Sequence, residues 1–520
     1  MASLLFISFL FGISAWAQSL QVNVNPVGMS ETERSQLQDR ILQYPEVENL
    51  LRNKSFRVLA LQTEDLDPEN SEYNLQVYNE TDDQLYEVNG PLNMSITPQI
   101  LESFEEIPAT PEEFEAAFKI LSEDPQLGPL IQAQTLLPYE AMPPILQPHR
   151  LIPVGLISNS NPSSRPHEIV GVDLSSRQVT RFPKGAPAGA IAIEQVCGMP
   201  NAHQANTAKG VRGSAEIEIE KGDQLLWSFT VIRPSASSGK KGSGLELRNL
   251  YYKGKKVFSR AHTPILNVQY DDNRCGPFRD WGYSENPFVA VGSNLAPGIR
   301  LASEPPKTIF DTHDDRGQFR GVAIYSSEGL VTLTTELSAG WYRYVSKFEL
   351  YDDGRIKPIF QFSGVTNSCV CFSHHHNVYW RIDFDVQGVN NSIQVSNGST
   401  FRVIPEEISQ IKSPENQVWR IGNSVTGSAY DLTPGASDGV ADDYSIADVW
   451  LLRYSPTQID DSRVRTSTKA ALNAFLTGGN LVQRDVVMWY TGHFAHLTGE
   501  AEVGHGIVGP TLAPVNWPEE

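Results

Sequence analysis

The chain has 520 residues, of which 40% are hydrophobic and 20% are charged. This composition is ordinary for a globular protein and allows two to four domains. The formal net charge is −20, which argues against nucleic acid and anionic membrane surfaces as partners, because both attract basic proteins.

The N-terminal segment, residues 1–17, has the pattern of a secretory signal peptide. An apolar run ends in the small-x-small sequence Ala15-Trp16-Ala17, which is typical of a cleavage site. A membrane anchor is the alternative, but the run is short for a membrane span. We therefore expect a secreted, extracellular protein that is not held in a membrane.

Glycosylation sequons and cysteines fit the same compartment. N-x-S/T triplets occur at Asn53, Asn79, Asn93, Asn390 and Asn397. In a secreted chain such triplets predict a glycoprotein. The cysteines are Cys197, Cys275, Cys369 and Cys371. They predict one or two disulfides in an oxidising environment.

Residues 18–92 are predicted to form a first small α+β domain. Ser30 followed by Glu33 is the sequence signature of a capping box, and a helical apolar pattern comes directly after it. The stretches FRVLALQTEDLD and YNLQVYNE then alternate as strands do.

Residues 93–192 are predicted to repeat this plan in a second small α+β domain. Thr110 precedes Pro111 and two acidic residues, a pattern that begins a helix. Further along, HEIVGVDLSSRQVTRF indicates a two-strand hairpin that turns at Ser175-Ser176.

Residues 193–520 are predicted to form one large antiparallel β-sandwich. Alternating segments such as AEIEIEKGDQLLWSFTVI and DVVMWYTGHF dominate this part of the chain, and turn residues separate them. The predicted fold class is therefore α+β, with two small α+β domains followed by the sandwich.

A run of three histidines suggests a metal site in the sandwich. Side chains alternate along a strand, so His374 and His376 share one face while His375 points to the other. Imidazole suits copper or zinc. The candidates for a third ligand are His493, His496 and His505. A surface histidine cluster without an ion is the alternative.

The cysteines next to the histidines have two interpretations, as metal ligands or as disulfide partners. Cys369 and Cys371 precede the histidines and could act as soft copper ligands. Disulfide formation is the interpretation that we favour for both.

The surrounding motifs carry a family resemblance. The order H-x-H, four residues and then Arg381-Ile382-Asp383 is followed by His496, seven residues after Trp489. Upstream stand VQYDD, FRDWG and AGWYRY. Over most of the chain this arrangement resembles the copper amine oxidases, whose quinone cofactor is made from one of their own tyrosines.

The resemblance implies a set of roles. His374, His376 and His496 match the copper ligands, and Tyr342 matches the tyrosine that becomes topaquinone. Tyr270 matches the tyrosine that hydrogen-bonds the quinone. Asp280 falls where the family has its catalytic base, with Asp271 and Asp272 as rival acids. The implied substrates are a primary amine and dioxygen, and the implied assembly is a homodimer.

The cofactor motif departs from the family pattern. The family has Asn-Tyr-Asp/Glu, whereas this chain has Trp341-Tyr342-Arg343. Two alternatives follow from this change. One is a repurposed copper enzyme without topaquinone, in which Arg343 binds an anionic group of the substrate. The other is a catalytically silent, secreted copper-binding protein.

Overall fold

The structure is a computed structural model, and most of the chain is described. The predicted signal peptide lies outside the described residues. These comprise 20–64, 71–103, 109–140, 150–158, 165–181, 191–193, 197–200, 202, 213–239, 244–270, 284–296, 298–367, 369–398, 400–413, 417–443, 445–460, 471–497 and 506–518.

The first small unit packs two helices on a four-stranded antiparallel sheet. The predicted capping box is present, because the Ser30 hydroxyl accepts from the Glu33 amide and the Glu33 carboxylate accepts from the Ser30 amide. Apolar side chains of the helices and the sheet form one buried cluster. The elements are α1 Glu31–Leu42, α2 Pro45–Leu51, β2 Phe56–Glu64, β3 Glu72–Asn79, β4 Gln84–Pro91 and β5 Gln99–Ser103.

The second small unit follows the same plan. Thr110 and Glu113 form the second capping box at the start of its long helix, and the hairpin predicted at Ser175-Ser176 is the pairing of β8 with β9. The elements are α3 Pro111–Glu123, α4 Gly128–Gln132, β6 Leu136–Glu140, β7 Ile152–Ser158, β8 Arg165–Asp173, β9 Gln178–Arg181 and β10 Ile191–Ile193.

Strand pairing does not follow the predicted domain limits at two places. Strand β1, Leu20–Val27, was assigned to the first small domain but pairs with β11, Ser214–Lys221, in the large sandwich. Strand β5 begins after residue 92 but pairs with β4 of the first unit. Both pairings join segments whose alternating patterns are alike, so sequence spacing alone could not assign them.

The large unit is a sandwich of two sheets, and it confirms the predicted α+β fold class. One sheet has nine strands in the order β1-β11-β12-β13-β14-β22-β29-β28-β25. Its remaining strands are β12 Gln224–Ile232, β13 Glu246–Tyr252, β14 Lys255–Tyr270, β22 His374–Phe384, β25 Ile408–Gln410, β28 Val449–Arg453 and β29 Val486–His496.

The other sheet has thirteen strands, and α5, Ile309–Thr312, lies between two of them along the chain. The inner faces of both sheets contribute to one buried apolar cluster. The strands are β15 Ser284–Glu285, β16 Gly292–Ala296, β17 Ile299–Ala302, β18 Val322–Ser327, β19 Leu330–Ala339, β20 Tyr342–Tyr351, β21 Ile356–Gly364, β23 Ser392–Asn397, β24 Phe401–Val403, β26 Gln417–Gly422, β27 Ala429–Thr433, β30 Ile507–Val508 and β31 Thr511–Val515.

The structure bears on two expectations about the chain's compartment, namely disulfide formation and glycosylation. Cys197 is disulfide-bonded to Cys371, and Cys369 is also disulfide-bonded, as we favoured. Of the sequons, Asn79 is completely buried and its amide donates to Asp82, so the native packing leaves no room for a glycan there. The other four sequon asparagines are exposed.

Within the described ranges, no helix has the length and apolar character needed to cross a membrane.

Candidate metal and tyrosine site

The predicted site residues of the nine-stranded sheet lie in one row across three strands. Tyr270 at the end of β14 pairs with His374 at the start of β22. His374 in turn pairs with His496 at the end of β29. Directly paired residues place their side chains on the same face. The row therefore brings together three residues that are far apart in sequence, and His376 lies two residues further along the same face.

The three histidines predicted as metal ligands are close and buried. The ring centre of His374 is 4.8 Å from that of His376 and 4.9 Å from that of His496. Two imidazoles bound to one ion have ring centres about 5 Å apart, because metal–nitrogen bonds are about 2.0 Å long. The all-imidazole donor set suits copper or zinc, and the ring separations are of the size that one shared ion would need.

Burial keeps the imidazoles of His374 and His376 neutral. It lowers the pKa of His374 to about 3 and lowers the pKa of His376 well below its usual value. The charged form loses hydration that the apolar interior does not replace. Neutral imidazole is also the form that binds a metal.

Backbone and phenol groups contact two of the rings. His374 Nδ1 lies 2.6 Å from the carbonyl oxygen of Phe372, which can only accept. Nδ1 must therefore donate, and Nε2 carries the lone pair. His376 Nδ1 lies 3.5 Å from the hydroxyl of Tyr344. The short contact of His374 sets which of its nitrogens can bind a metal, as partners behind a ligand do in metal sites, whereas the long contact of His376 leaves its ring free to turn.

Tyr342 reaches the histidines from the opposite sheet. It is the first residue of β20, directly after a turn formed by Gly340 and Trp341. Its ring centre is 4.7 Å from that of His376 and 5.2 Å from that of His374. The side chain is completely buried, and its hydroxyl is 2.6 Å from the hydroxyl of Tyr270.

The two residues that flank Tyr342 have different surroundings. Trp341 is buried, and its indole Nε1 donates to the Tyr270 hydroxyl at 2.9 Å. Arg343 lies on the other face of β20, where Nε and Nη2 donate to the Asp315 carboxylate at 2.9 Å each. Nη1 donates to the backbone carbonyl oxygens of Gly340 and Tyr342, also at 2.9 Å each. All three guanidinium nitrogens therefore already have protein acceptors, which weighs against the predicted role of Arg343 as an anchor for an anionic substrate group.

The remaining histidine candidates lie on the outer face or outside the described residues. His375 Nδ1 is 3.0 Å from the Asp442 carboxylate. His493 lies between Asn377 and Asp448, 2.5 Å from an oxygen of each. His505 is outside the described residues.

The predicted acids are also outside the described residues, so the structure gives no position for Asp280, Asp271 or Asp272. Within the part of the chain that the structure describes, no group of three or more His, Cys, Asp or Glu side chains already has the arrangement of a metal site. An ion bound by the three histidines would therefore require the side chains to reorient.

Sequence reasoning missed several residues around the site. Tyr344 stacks on Tyr342 with ring centres 5.9 Å apart. Phe362 and Phe494 lie 4.9 Å and 6.3 Å from the ring of His376. Strand alternation could have found Tyr344, which lies two residues from Tyr342. No sequence signal marked Phe362 or Phe494 as neighbours of His376.

Comparison with solved structures identifies the fold. A copper-containing benzylamine oxidase from Hansenula polymorpha superimposes with a TM-score of 0.62 and 13% sequence identity, covering 94% of this chain and 97% of that one. A lysyl oxidase from Pichia pastoris gives 0.56 and 13%, covering 95% and 90%. An amine oxidase from Aspergillus nidulans gives 0.54 and 12%, covering 98% and 90%.

Sequence comparisons add nothing to this result, because no family model matches the chain and no curated protein matches it. At 12–13% identity the structural likeness establishes the fold alone. The chain has the fold of copper-containing amine oxidases over nearly its whole length.

Proposed function

We propose that this protein is a secreted, copper-dependent amine oxidase-like oxidoreductase. It would convert a primary amine, dioxygen and water into an aldehyde, ammonia and hydrogen peroxide. The metal would be copper, held by His374, His376 and His496. The organic cofactor would be topaquinone formed from Tyr342. The fold neighbours, which include enzymes described as amine oxidases, support the class of reaction.

One observation carries the proposal: the contact of Tyr342 with the histidines across the two sheets. The Tyr342 ring lies against His374 and His376, and its hydroxyl bonds to Tyr270. A tyrosine that is to be oxidised by a metal centre must lie beside that centre. The sequence resemblance named these four residues from motifs that are widely separated along the chain.

Each residue has a role in this proposal. Copper, when bound, would supply one-electron chemistry with dioxygen. The neutral imidazoles provide nitrogen donors, and the Phe372 carbonyl holds His374 with Nε2 as its lone-pair nitrogen. Tyr270 orients the Tyr342 oxygen. Asp280 remains the proposed acid that removes the substrate's α-proton, and a homodimer remains the proposed assembly.

The proposal is tested by peptide mass spectrometry after the metal-free protein has been loaded with copper in air. The Tyr342 peptide should gain two oxygen atoms and lose two hydrogens, and phenylhydrazine should convert it to a coloured adduct. The copper-loaded Tyr342→Phe variant is the control and should give neither signal. An unmodified Tyr342 beside a filled copper site would contradict the amine oxidase proposal.

A second candidate is a copper enzyme of the same fold without topaquinone. The flanking residue Trp341 favours it, because its hydrogen bond to Tyr270 adds a constraint beside the ring that must be modified. The same mass measurement separates the two candidates, since this one requires full copper occupancy and an intact tyrosine.

A further inference from the structure

We propose that Trp341 is a positioning residue for Tyr342 and that it acts through Tyr270. This inference rests on the proposed function, in which Tyr342 is the residue to be oxidised. It assigns a purpose to the tryptophan that stands where the resembled family has asparagine.

Two hydrogen bonds meet on the Tyr270 hydroxyl. The indole Nε1 of Trp341 donates to it at 2.9 Å, and the Tyr342 hydroxyl lies 2.6 Å away. All three side chains are buried, with exposed fractions of 1% for Trp341, 4% for Tyr270 and 0% for Tyr342. Bonds between buried polar groups are costly to lose, because water cannot replace the missing partner.

The two bonds connect the sheets of the sandwich. Tyr270 belongs to β14 of the nine-stranded sheet. Tyr342 is the first residue of β20 in the thirteen-stranded sheet, and Trp341 stands in the turn directly before it. The Tyr270 hydroxyl is therefore held by two neighbouring groups of the facing sheet.

This double attachment determines how far the Tyr342 ring can move. One phenol–phenol bond would leave Tyr270 able to swing about its side-chain torsions together with Tyr342. The indole bond holds the Tyr270 oxygen in place, so the Tyr342 ring keeps its position 4.7 Å from His376. Trp341 thus fixes the distance between Tyr342 and His376, although its own hydrogen bond goes to Tyr270 and not to a histidine.

The test begins with the metal-free protein, so that it does not depend on copper chemistry. Trp341→Phe keeps an aromatic ring and removes only the indole donor. Trp419→Phe is the matched control, because Trp419 is also fully buried but its indole nitrogen has no hydrogen-bond partner among the residues that the structure describes. Circular dichroism spectra that match the wild type in both variants would show that both are folded, whatever their melting temperatures.

The measured quantity is the nuclear Overhauser enhancement between the rings of Tyr342 and His376, which reports the distance between them, on protein with 13C-labelled tyrosine and histidine rings. The Tyr342→Phe spectrum assigns the tyrosine signal. We expect Trp341→Phe to weaken the enhancement roughly twofold or more, because the ring is released from its position 4.7 Å from His376. Trp419→Phe should leave it unchanged. An unchanged enhancement in Trp341→Phe would overturn the inference.

A double-mutant cycle tests the route through Tyr270. If Trp341 acts through that residue, adding Trp341→Phe to Tyr270→Phe should weaken the Tyr342–His376 enhancement no further than Tyr270→Phe alone. An additional effect in the double variant would mean that Trp341 acts by packing directly on Tyr342, and the positioning role would be wrong.

A second readout connects the inference to the proposed function. The fraction of Tyr342 converted per bound copper should fall severalfold in Trp341→Phe and stay at the wild-type level in Trp419→Phe. Conversion absent from the wild type would contradict the proposed function, and the Tyr342–His376 enhancements would still decide the role of Trp341. Conversion in Trp341→Phe equal to that of wild type would contradict the role itself.

Discussion

The two faces of strand β22 carry histidines in opposite surroundings. On the inner face, His374 and His376 lie among the rings of Tyr342 and Phe362. On the outer face, His375 pairs with the Asp442 carboxylate. Across the sheet, His493 of β29 likewise pairs with Asp448. The strands and the residue type are the same, and only the direction of the side chain differs.

This difference shows what separates a candidate ligand from a structural histidine. The inner rings of His374 and His376 are held neutral by burial and their centres are 4.8 Å apart, whereas the outer rings are each paired with a carboxylate. Inner-face substitutions should therefore affect metal binding, and outer-face substitutions should affect the stability of the fold.

The largest effect is expected on the inner face. His496→Ala should weaken copper binding by more than about a hundredfold, since even the loss of a partner behind a ligand costs 10–100-fold. Copper per chain after dialysis, together with a chelator competition titration, measures this. Full retention of one copper per chain in His496→Ala would refute the ligand assignment.

The next largest effect is expected from Glu336 of the thirteen-stranded sheet, as a dependence of stability on pH. Glu336 on β19 is fully buried, and burial raises its pKa to about 8. A raised carboxyl pKa means that its contribution to stability is complete below the unfolded value of 4.5 and is lost as pH rises through 8. Between pH 5 and pH 8 the free energy of unfolding should fall by about 3 kcal/mol from this group.

Urea unfolding at a series of pH values checks this expectation. Glu336→Gln should flatten the slope between pH 5 and pH 8, whatever its stability at pH 5. Glu328→Gln provides the control, because Glu328 is exposed in the turn before the same strand. An equal slope in the wild type and Glu336→Gln would show that Glu336 does not titrate in this range.

His493→Ala should have a smaller effect, on stability rather than on metal content. The substitution removes the partner of Asn377 and Asp448 and leaves buried acceptors unsatisfied, at a cost of about 2 kcal/mol. Lys412 still supports Asp448, because its backbone amide donates to that carboxylate at 2.7 Å. The variant should unfold at lower urea concentration while its copper content stays within experimental error. Loss of copper from His493→Ala would contradict the expectation that outer-face histidines affect stability and not metal binding.

The smallest effect is expected for His375→Ala. The His375–Asp442 pair is partly exposed, with 18% and 41% of the side-chain surface accessible, and pairs of this kind contribute below about 1 kcal/mol. Copper affinity should change less than threefold, by the same competition titration that is used for His496→Ala. A loss comparable to that of His496→Ala would place His375 among the ligands.

Local features of the fold could be predicted from the sequence. The capping boxes at Ser30 and Thr110 depend on residues three positions apart, and the α+β class depends on the periodicity of apolar residues. The opposite directions of His374 and His375 follow from strand alternation alone. Each of these signals lies within a short stretch of chain.

Features that depend on distant pairing could not be predicted in this way. No local pattern places β1 beside β11, or aligns Tyr270, His374 and His496 in one row. The family resemblance named the residues of that row, but not their geometry. The hydrogen bond from Trp341 to Tyr270 had no sequence signal, because the resembled family has another residue at that position. The roles assigned to these residues stay predictions.

The disulfide between Cys197 and Cys371 has a consequence for the order of maturation. It closes a loop with a sequence separation of 174 residues, and its second cysteine lies three residues before His374. Closing so long a loop removes several kcal/mol of conformational entropy from the unfolded chain, about 5 by loop-closure estimates. Oxidation of the chain therefore ties the start of the histidine strand to Cys197, whether or not a metal has bound.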